Sequence, residues 1–201
     1  MLPSRTIPAS GVIPPRKRPL AAPPPAPLPA NTLVIYTDGS GPEPPATTAG
    51  WGFAVVSGGN GRDDDRATEL HSRRGPVPTD QSDPSYLGAT RGTNNTGELT
   101  AIAEALRYLL ADQSSRPALI RYDSTYAANM AAGRWRAKSN KRLVASVRKL
   151  WTQAHEHLGG RLWASHVDAH TDHRWNDRAD ELARHGKGGA LHARRPRGGS
   201  G

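Results

Sequence analysis

No cysteine occurs anywhere in the 201 residues of this chain. That excludes a disulfide framework and any thiolate metal site, and it suits a reducing compartment. There is also no apolar run approaching the ~20 residues that a membrane span needs. The expectation is a soluble protein: one domain with a real core, plus tails. Acid is missing from three stretches. Residues 1–30 hold Arg5, Arg16, Lys17 and Arg18 without an acid, residues 187–201 hold Lys187, Arg194, Arg195 and Arg197 without one, and these tails carry eight of the net nine positive charges. Residues 124–155 again contain no acid, yet they supply Arg134, Arg136, Lys138, Lys141, Arg142, Arg148 and Lys149. A solvated helix face normally mixes signs, so one-sign charge beside Trp135 favours a phosphate-bearing partner.

Ten of the first thirty residues are proline, and this stretch has too few large apolar groups to offset its ordering entropy. It is expected to be a disordered leader, with a matching basic Gly/Arg tail over 187–201 and the folded domain over 31–186. PPRKRP (14–19) has the composition of a nuclear address, and the lack of acid suits an organellar transit peptide, although such peptides are poor in proline. The location expected is intracellular: cytoplasm in a bacterium, nucleus or mitochondrion in a eukaryote.

Within 31–186 the periodicities alternate. Leu33, Val34, Ile35 and Tyr36 predict a buried strand that delivers Asp38 where it ends, and 50–56 (GWGFAVV) alternates large and small residues as a second strand does. A third strand is expected near 68–73. It is flanked by Gly/Pro/Asp/Ser-rich loop between 57 and 93, including Asp63–Asp65, too polar to be core. Leu99, Ile102, Ala103, Leu106, Leu109 and Leu110 lie on one helical face, with Thr96 able to cap that helix. Residues 118–123 predict a strand leading into a helix over 124–132. A helix over 141–158, capped by Ser139 or Asn140, is followed by a strand over 162–169, and a last helix opens at Asn176 and stops at Gly186. The order βββαβααβα describes an α/β domain built on a five-stranded mixed sheet flanked by helices.

Four acids interrupt these apolar elements: Asp38, Glu98, Asp123 and Asp180. Each has an ordinary explanation alone, as a turn residue, a favourable charge in a first helical turn, an N-cap, or an i,i+4 partner of Arg184. Together, two stand where strands end and two stand on helices that must pack against the same sheet. Four carboxylates cannot share a site without cations. Hard oxygen ligands in this number suit Mg²⁺, or Mn²⁺ as a substitute, and two such ions ~3.5–4 Å apart are the usual arrangement for in-line phosphodiester hydrolysis. A zinc site from His166, Asp168, His170 and His173 is the lesser metal alternative, since a half-exposed strand would also place the first three on one face.

The motifs TDGS (37–40), TNNTGEL (93–99), YDSTY (122–126) and AHTDHRWNDRADELA (169–183) resemble those of ribonuclease HI, over about 31–186. The resemblance implies a ribonuclease H-like fold and an endonuclease that cuts the RNA strand of RNA/DNA hybrids with two Mg²⁺ ions, leaving 5′-phosphate and 3′-hydroxyl ends. It implies Asp38, Glu98, Asp123 and Asp180 as metal ligands and His170 as the flexible-loop histidine that assists catalysis. It further implies Asn94, Asn95 and Thr125 on the RNA strand, Arg91, Thr93 and Asn140 around a phosphate of the DNA strand, and Trp135 in the DNA channel. The chain departs from the family where 123–135 is one residue longer and 135–140 lacks most of the basic protrusion. A monomer without an obligate protein partner is expected. The alternatives are a non-catalytic nucleic-acid-binding module that kept the fold, and the ribonuclease H portion of a reverse transcriptase.

Overall fold

The computed structural model describes residues 23–44, 46–59, 66–112, 114–167 and 173–188, with the backbone of 192–194. The acidic run 63–65, residues 1–22 of the leader, and both Asp168 and His170 lie outside the described residues. The elements are β1 (Leu33–Ser40), β2 (Gly50–Ser57), β3 (Thr68–Pro76), α1 (Asn94–Ala111), β4 (Ala118–Tyr122), α2 (Thr125–Ala131), α3 (Lys141–His157), β5 (Leu162–His166), α4 (Arg174–Gly186) and β6 (His192–Arg194). They form one mixed sheet in the order β5-β4-β1-β2-β3-β6. β1 pairs antiparallel with β2 and parallel with β4, and β5 continues parallel from β4.

The five expected strands are all present, and β6 adds a sixth that pairs antiparallel with β3. It falls inside the stretch assigned to a tail, where no apolar alternation announces it, because a three-residue ladder is held by backbone groups. Lys187 also departs from that assignment: it is buried, and its ammonium lies 3.1 Å from the Glu43 carboxylate.

β1 is buried along its whole length because both of its faces are covered. On one side Leu33 and Ile35 join Phe53, Val55, the apolar face of α1, and Leu143, Val147 and Trp151 of α3. On the other, Val34 and Tyr36 pack with Val56, Leu119, and Trp175 and Ala179 of α4, with Leu28 packed against them. A strand enclosed on both sides reads as a continuous apolar run, which is what 33–36 shows. The polar segment after β3 is less superficial than its composition suggests, since Val77, Leu87 and Ala89 enter the main core. No helix among the described residues is long and apolar enough to cross a membrane.

Two pairs of close backbone approaches set the helices on the sheet. A Cβ on Gly39 would collide with the backbone of Gly97 and Glu98, and one on Gly97 would sit 2.6 Å from the Gly50 carbonyl oxygen. Cβ atoms on Gly50 or Gly52 would strike α4 at Ala183 in the same way. Only hydrogen at these positions lets α1 and α4 lie directly on strand backbone.

Candidate active site

Asp38 is not at the end of its strand: β1 runs on to Ser40, with Asp38 opposite Gly52. Glu98 is reached through the glycine contact just described, which seats the first turns of α1 on Gly39. The turn is secured by Thr93, not Thr96. Thr93 is the N-cap and Thr96 is the third helical residue, and each side chain accepts a hydrogen bond from the other's backbone N–H, at 3.2 and 2.8 Å. This reciprocal capping is why α1 begins two residues before the expected start. Asp123 follows directly on β4, before the Ser124 cap of α2.

Asp38, Glu98 and Asp123 converge, each offering one carboxylate oxygen such that all three atoms lie within 4.8 Å of one another. Among the described residues no other group of three or more potential ligands does this. Asp38 and Glu98 are 6% and 4% exposed. Burial first, and then the charge on Asp123, push the Asp38 carboxyl up to about 7. Burial and the Asp38 charge hold Glu98 well above the usual carboxylate range. Asp123 is raised too, mainly by burial, against the opposing effect of a hydrogen bond from Asn176. Glu98 Oε2 and Asp123 Oδ1 are buried and have no hydrogen-bond partner. Acceptor oxygens left unpaired among like charges are costly unless a cation fills the space between them. The donor set, all carboxylate oxygen, fits Mg²⁺ or Mn²⁺.

Asp180, on α4, stands outside this triad of ligand atoms. Its charge still adds to the upward push on Asp38 and Asp123, while its part-exposed carboxylate pairs with Arg184 at 3.1 Å. The i,i+4 pairing considered for Asp180 is therefore present. α4 begins at Arg174, two residues earlier than expected.

The histidine alternative does not assemble among the described residues. β5 ends at His166, and Asp168 and His170, on which that alternative also depends, lie outside the described residues. His166 Nε2 lies 3.0 Å from the Asp123 carbonyl oxygen, and His173 Nε2 lies 3.3 Å from the Tyr36 hydroxyl, with the two rings in contact.

The remaining predicted residues, Trp135 aside, lie at or just before helix starts. Asn94 and Asn95 are exposed in the first turn of α1, where Asn94 Oδ1 accepts from the Gly41 N–H at 3.2 Å. Thr125 is exposed at the first position of α2. Arg91 is exposed just before α1, and its carbonyl accepts from Thr96 Oγ1 at 3.1 Å. Asn140, one of the two residues expected to cap α3, is its N-cap, but in the left-handed conformation, φ 52°, and without a side-chain capping bond. Asparagine tolerates this backbone better than other non-glycine residues, and the amide is thereby left uncommitted to the helix. The loop carrying Arg91 and the start of α3 are neighbours, since a Cβ on Gly88 would sit 2.6 Å from Arg142 Cβ.

Trp135 is 47% exposed, the one large apolar side chain so exposed among the described residues, and is not the core residue its chemistry would equally suggest. Its loop is tied down by Arg148 of α3, which donates from Nε to the Met130 carbonyl at 2.8 Å and from Nη2 to the Trp135 carbonyl at 2.7 Å. One of the seven cations of 124–155 is thus a structural donor. The other six are exposed.

Sequence reasoning passed over Asn176, treating it only as a helix opener. It is 4% exposed and hydrogen-bonded to Asp123. The signal for it was its spacing, four residues before Asp180 and so on the same helical face.

Residues 30–187 match the family described as RNase H. Among solved structures, LC11-RNase H1, isolated from compost by a metagenomic approach, is 22% identical with a TM-score of 0.55, covering 78% of this chain and 95% of its own. The same protein solved in complex with an RNA/DNA hybrid gives 22% and 0.53, covering 77% and 95%. RNase H1 from the halophilic archaeon Halobacterium salinarum is 25% identical with a TM-score of 0.50, covering 77% of this chain and 96% of its own. No curated protein matches the chain.

Proposed function

The chain belongs to the RNase H family, the RNA/DNA hybrid ribonucleases, and from that premise we propose that it cuts the RNA strand by two-ion phosphodiester hydrolysis, leaving 5′-phosphate and 3′-hydroxyl ends. The observation that carries the reading is the buried cluster of Asp38, Glu98 and Asp123 with its unpaired oxygens. These three and Asp180 would hold two Mg²⁺, or Mn²⁺ in their place, which when bound supply Lewis-acid activation of the attacking water and stabilisation of the departing 3′ oxygen. Asp38 and Glu98 sit where strand and helix backbones touch. Asp180 stands on the more exposed side of the site. His170 is assigned to proton transfer or product release on its sequence position.

Strand discrimination follows from side-chain chemistry on either side of the acids. Asn94, Asn95 and Thr125 offer amides and a hydroxyl suited to 2′-hydroxyls, which distinguish RNA from DNA. Arg91, Thr93 and Asn140 offer a charged fork and neutral donors suited to a phosphate of the DNA strand. Exposed Trp135 beside six exposed cations offers a stacking surface and counter-charge to the same strand. That LC11-RNase H1 is solved with an RNA/DNA hybrid supports this choice of ligand.

The test is a gel assay of labelled duplexes with Mg²⁺, Mn²⁺ or EDTA. Cleavage of RNA in the hybrid, silence in EDTA, and scarcely any action on double-stranded RNA, double-stranded DNA or free RNA are expected. Equal cleavage of double-stranded RNA would overturn the strand assignment.

Arg148→Ala is expected to release the loop that presents Trp135. Two charged donors are lost to backbone carbonyls, so the hybrid should bind about tenfold more weakly, through ~1.4 kcal/mol. Turnover at saturating substrate should stay within twofold, and binding and steady-state titrations would separate the two effects.

A further inference from the structure

Asn176 carries more of the site than its place at the start of a helix suggests. It is polar, 4% exposed, and stands on α4 one turn before Asp180. Its amide donates to the Asp123 carboxylate, while its own carbonyl oxygen, Oδ1, is buried and has no partner. The donor and acceptor ends of one amide are ~2.2 Å apart, so with a hydrogen bond of ordinary length Oδ1 lies within ~5 Å of that carboxylate. A buried acceptor left unsatisfied in this way costs stability unless something arrives to donate to it. The group that arrives must bring an O–H or N–H into a pocket otherwise furnished with carboxylate oxygens. Water accompanying the bound cations meets that need, being both small enough and a donor.

We propose that Asn176 is a positioning residue with two ends: its N–H₂ holds one side of Asp123 so that the unpaired Oδ1 of that carboxylate is presented to metal, and its carbonyl accepts a hydrogen bond from a water of the loaded site. The proposal rests on the metal-dependent reading given above. It explains why α4 begins early enough to bury residue 176, since a helix opening at that position would leave it in a loosely held first turn.

Two variants test it, Asn176→Ala, which leaves space, and Asn176→Leu, which fills most of the volume with a side chain that can neither donate nor accept. The readouts are calorimetric Mn²⁺ titration without nucleic acid, thermal melting in EDTA, and steady-state cleavage of a hybrid. Both variants are expected to bind Mn²⁺ 10- to 100-fold more weakly and to lose at least tenfold in kcat, with KM for the hybrid within threefold of the unaltered protein. Melting of the Leu variant in EDTA is expected to stay within a few degrees of the unaltered protein, because the loss of the donor to Asp123 is offset by removal of an unsatisfied buried acceptor. Mn²⁺ affinity and kcat within twofold of the unaltered protein in both variants would overturn the assignment, as would losses that follow a fall in melting temperature in both. If the unaltered protein itself binds no Mn²⁺, the metal reading of the site fails and this proposal fails with it. That outcome is distinct from normal Mn²⁺ binding that the substitutions leave unchanged, which removes Asn176 alone.

Discussion

Asp38→Asn is expected to abolish cleavage and, in the same protein, to raise the melting temperature of the metal-free form. Loss of activity on the order of 10³-fold, ~4 kcal/mol in the barrier, follows from removing a ligand charge at the centre of the acid cluster. The gain in stability follows from linkage. The Asp38 carboxyl titrates near 7 when folded, raised by burial and by Asp123, against an ordinary value of 3.8. Between those values the folded protein holds a proton that the unfolded chain has released, so stability declines as pH rises from about 4 through about 7. At pH 8 in EDTA the site is therefore a liability, and a neutral amide of the same shape relieves it by about 2 kcal/mol. For a chain of this length that is a rise of roughly 4 to 8 °C. At pH 5, where Asp38 in the folded protein is still protonated and only the lower part of that decline has occurred, the gap between the two proteins should be much narrower than at pH 8. Adding Mg²⁺ at pH 8 should raise the melting point of the unaltered protein far more than that of the variant. Thermal melts at both pH values, with and without Mg²⁺, check all of this. An unaltered protein whose stability in EDTA rises from pH 5 to pH 8 while the variant's does not would contradict it.

Gly39→Ala is expected to damage fold and site together, though it adds a single methyl group. The new Cβ would be driven into the backbone of Gly97 and Glu98. Backbone cannot rotate away as a side-chain tip can, so α1 must lift from β1. Overpacking of this kind costs ~1–3 kcal/mol or more. Here the displaced residue is Glu98, so the carboxylate separation that makes the cluster widens at the same time. A melting temperature lower by roughly 5 to 10 °C, at least 100-fold slower hybrid cleavage, and weakened Mn²⁺ binding are expected. Gly188→Ala, whose Cβ would meet only the His185 carbonyl at 3.7 Å, is the matched control and should melt like the unaltered protein. Normal cleavage by Gly39→Ala would show that the contact does not position Glu98.

Much of this was open to sequence reasoning because it depends on local pattern. The apolar run of β1, the helical period of 99–110 and the glycine stop after α3 each announce their elements through side chains that must be buried or through backbone that must turn. The acids were legible for the opposite reason, as charges breaking into apolar segments without a visible partner. What stayed hidden depends on contacts across the chain. Thr93 and Thr96 are equally good caps by composition, and only the seating of α1 on Gly39 decides between them. Val77, Leu87 and Ala89 are isolated apolar residues in a polar stretch, and no period marks them as core. β5 stops at His166 although alternation continues beyond it, because parallel pairing with β4 ends where β4 does, at Tyr122. Of the four acids that the resemblance to ribonuclease HI singled out, Asp38, Glu98 and Asp123 meet in one cluster, while Asn176 stayed unseen because only a contact across the chain brings it to Asp123.

The short pairing of β6 with β3 has a consequence for association. A strand at the margin of a sheet presents unpaired N–H and C=O groups that another chain can adopt as a template. Here Ser72, Arg73 and Arg74 find their partners in Arg194, Ala193 and His192 of the same chain. A boundary drawn just after α4 would strip that cover and leave the middle of β3 open to a second copy. Three residues from a basic, glycine-rich stretch thus take up backbone groups that β3 would otherwise present at the margin.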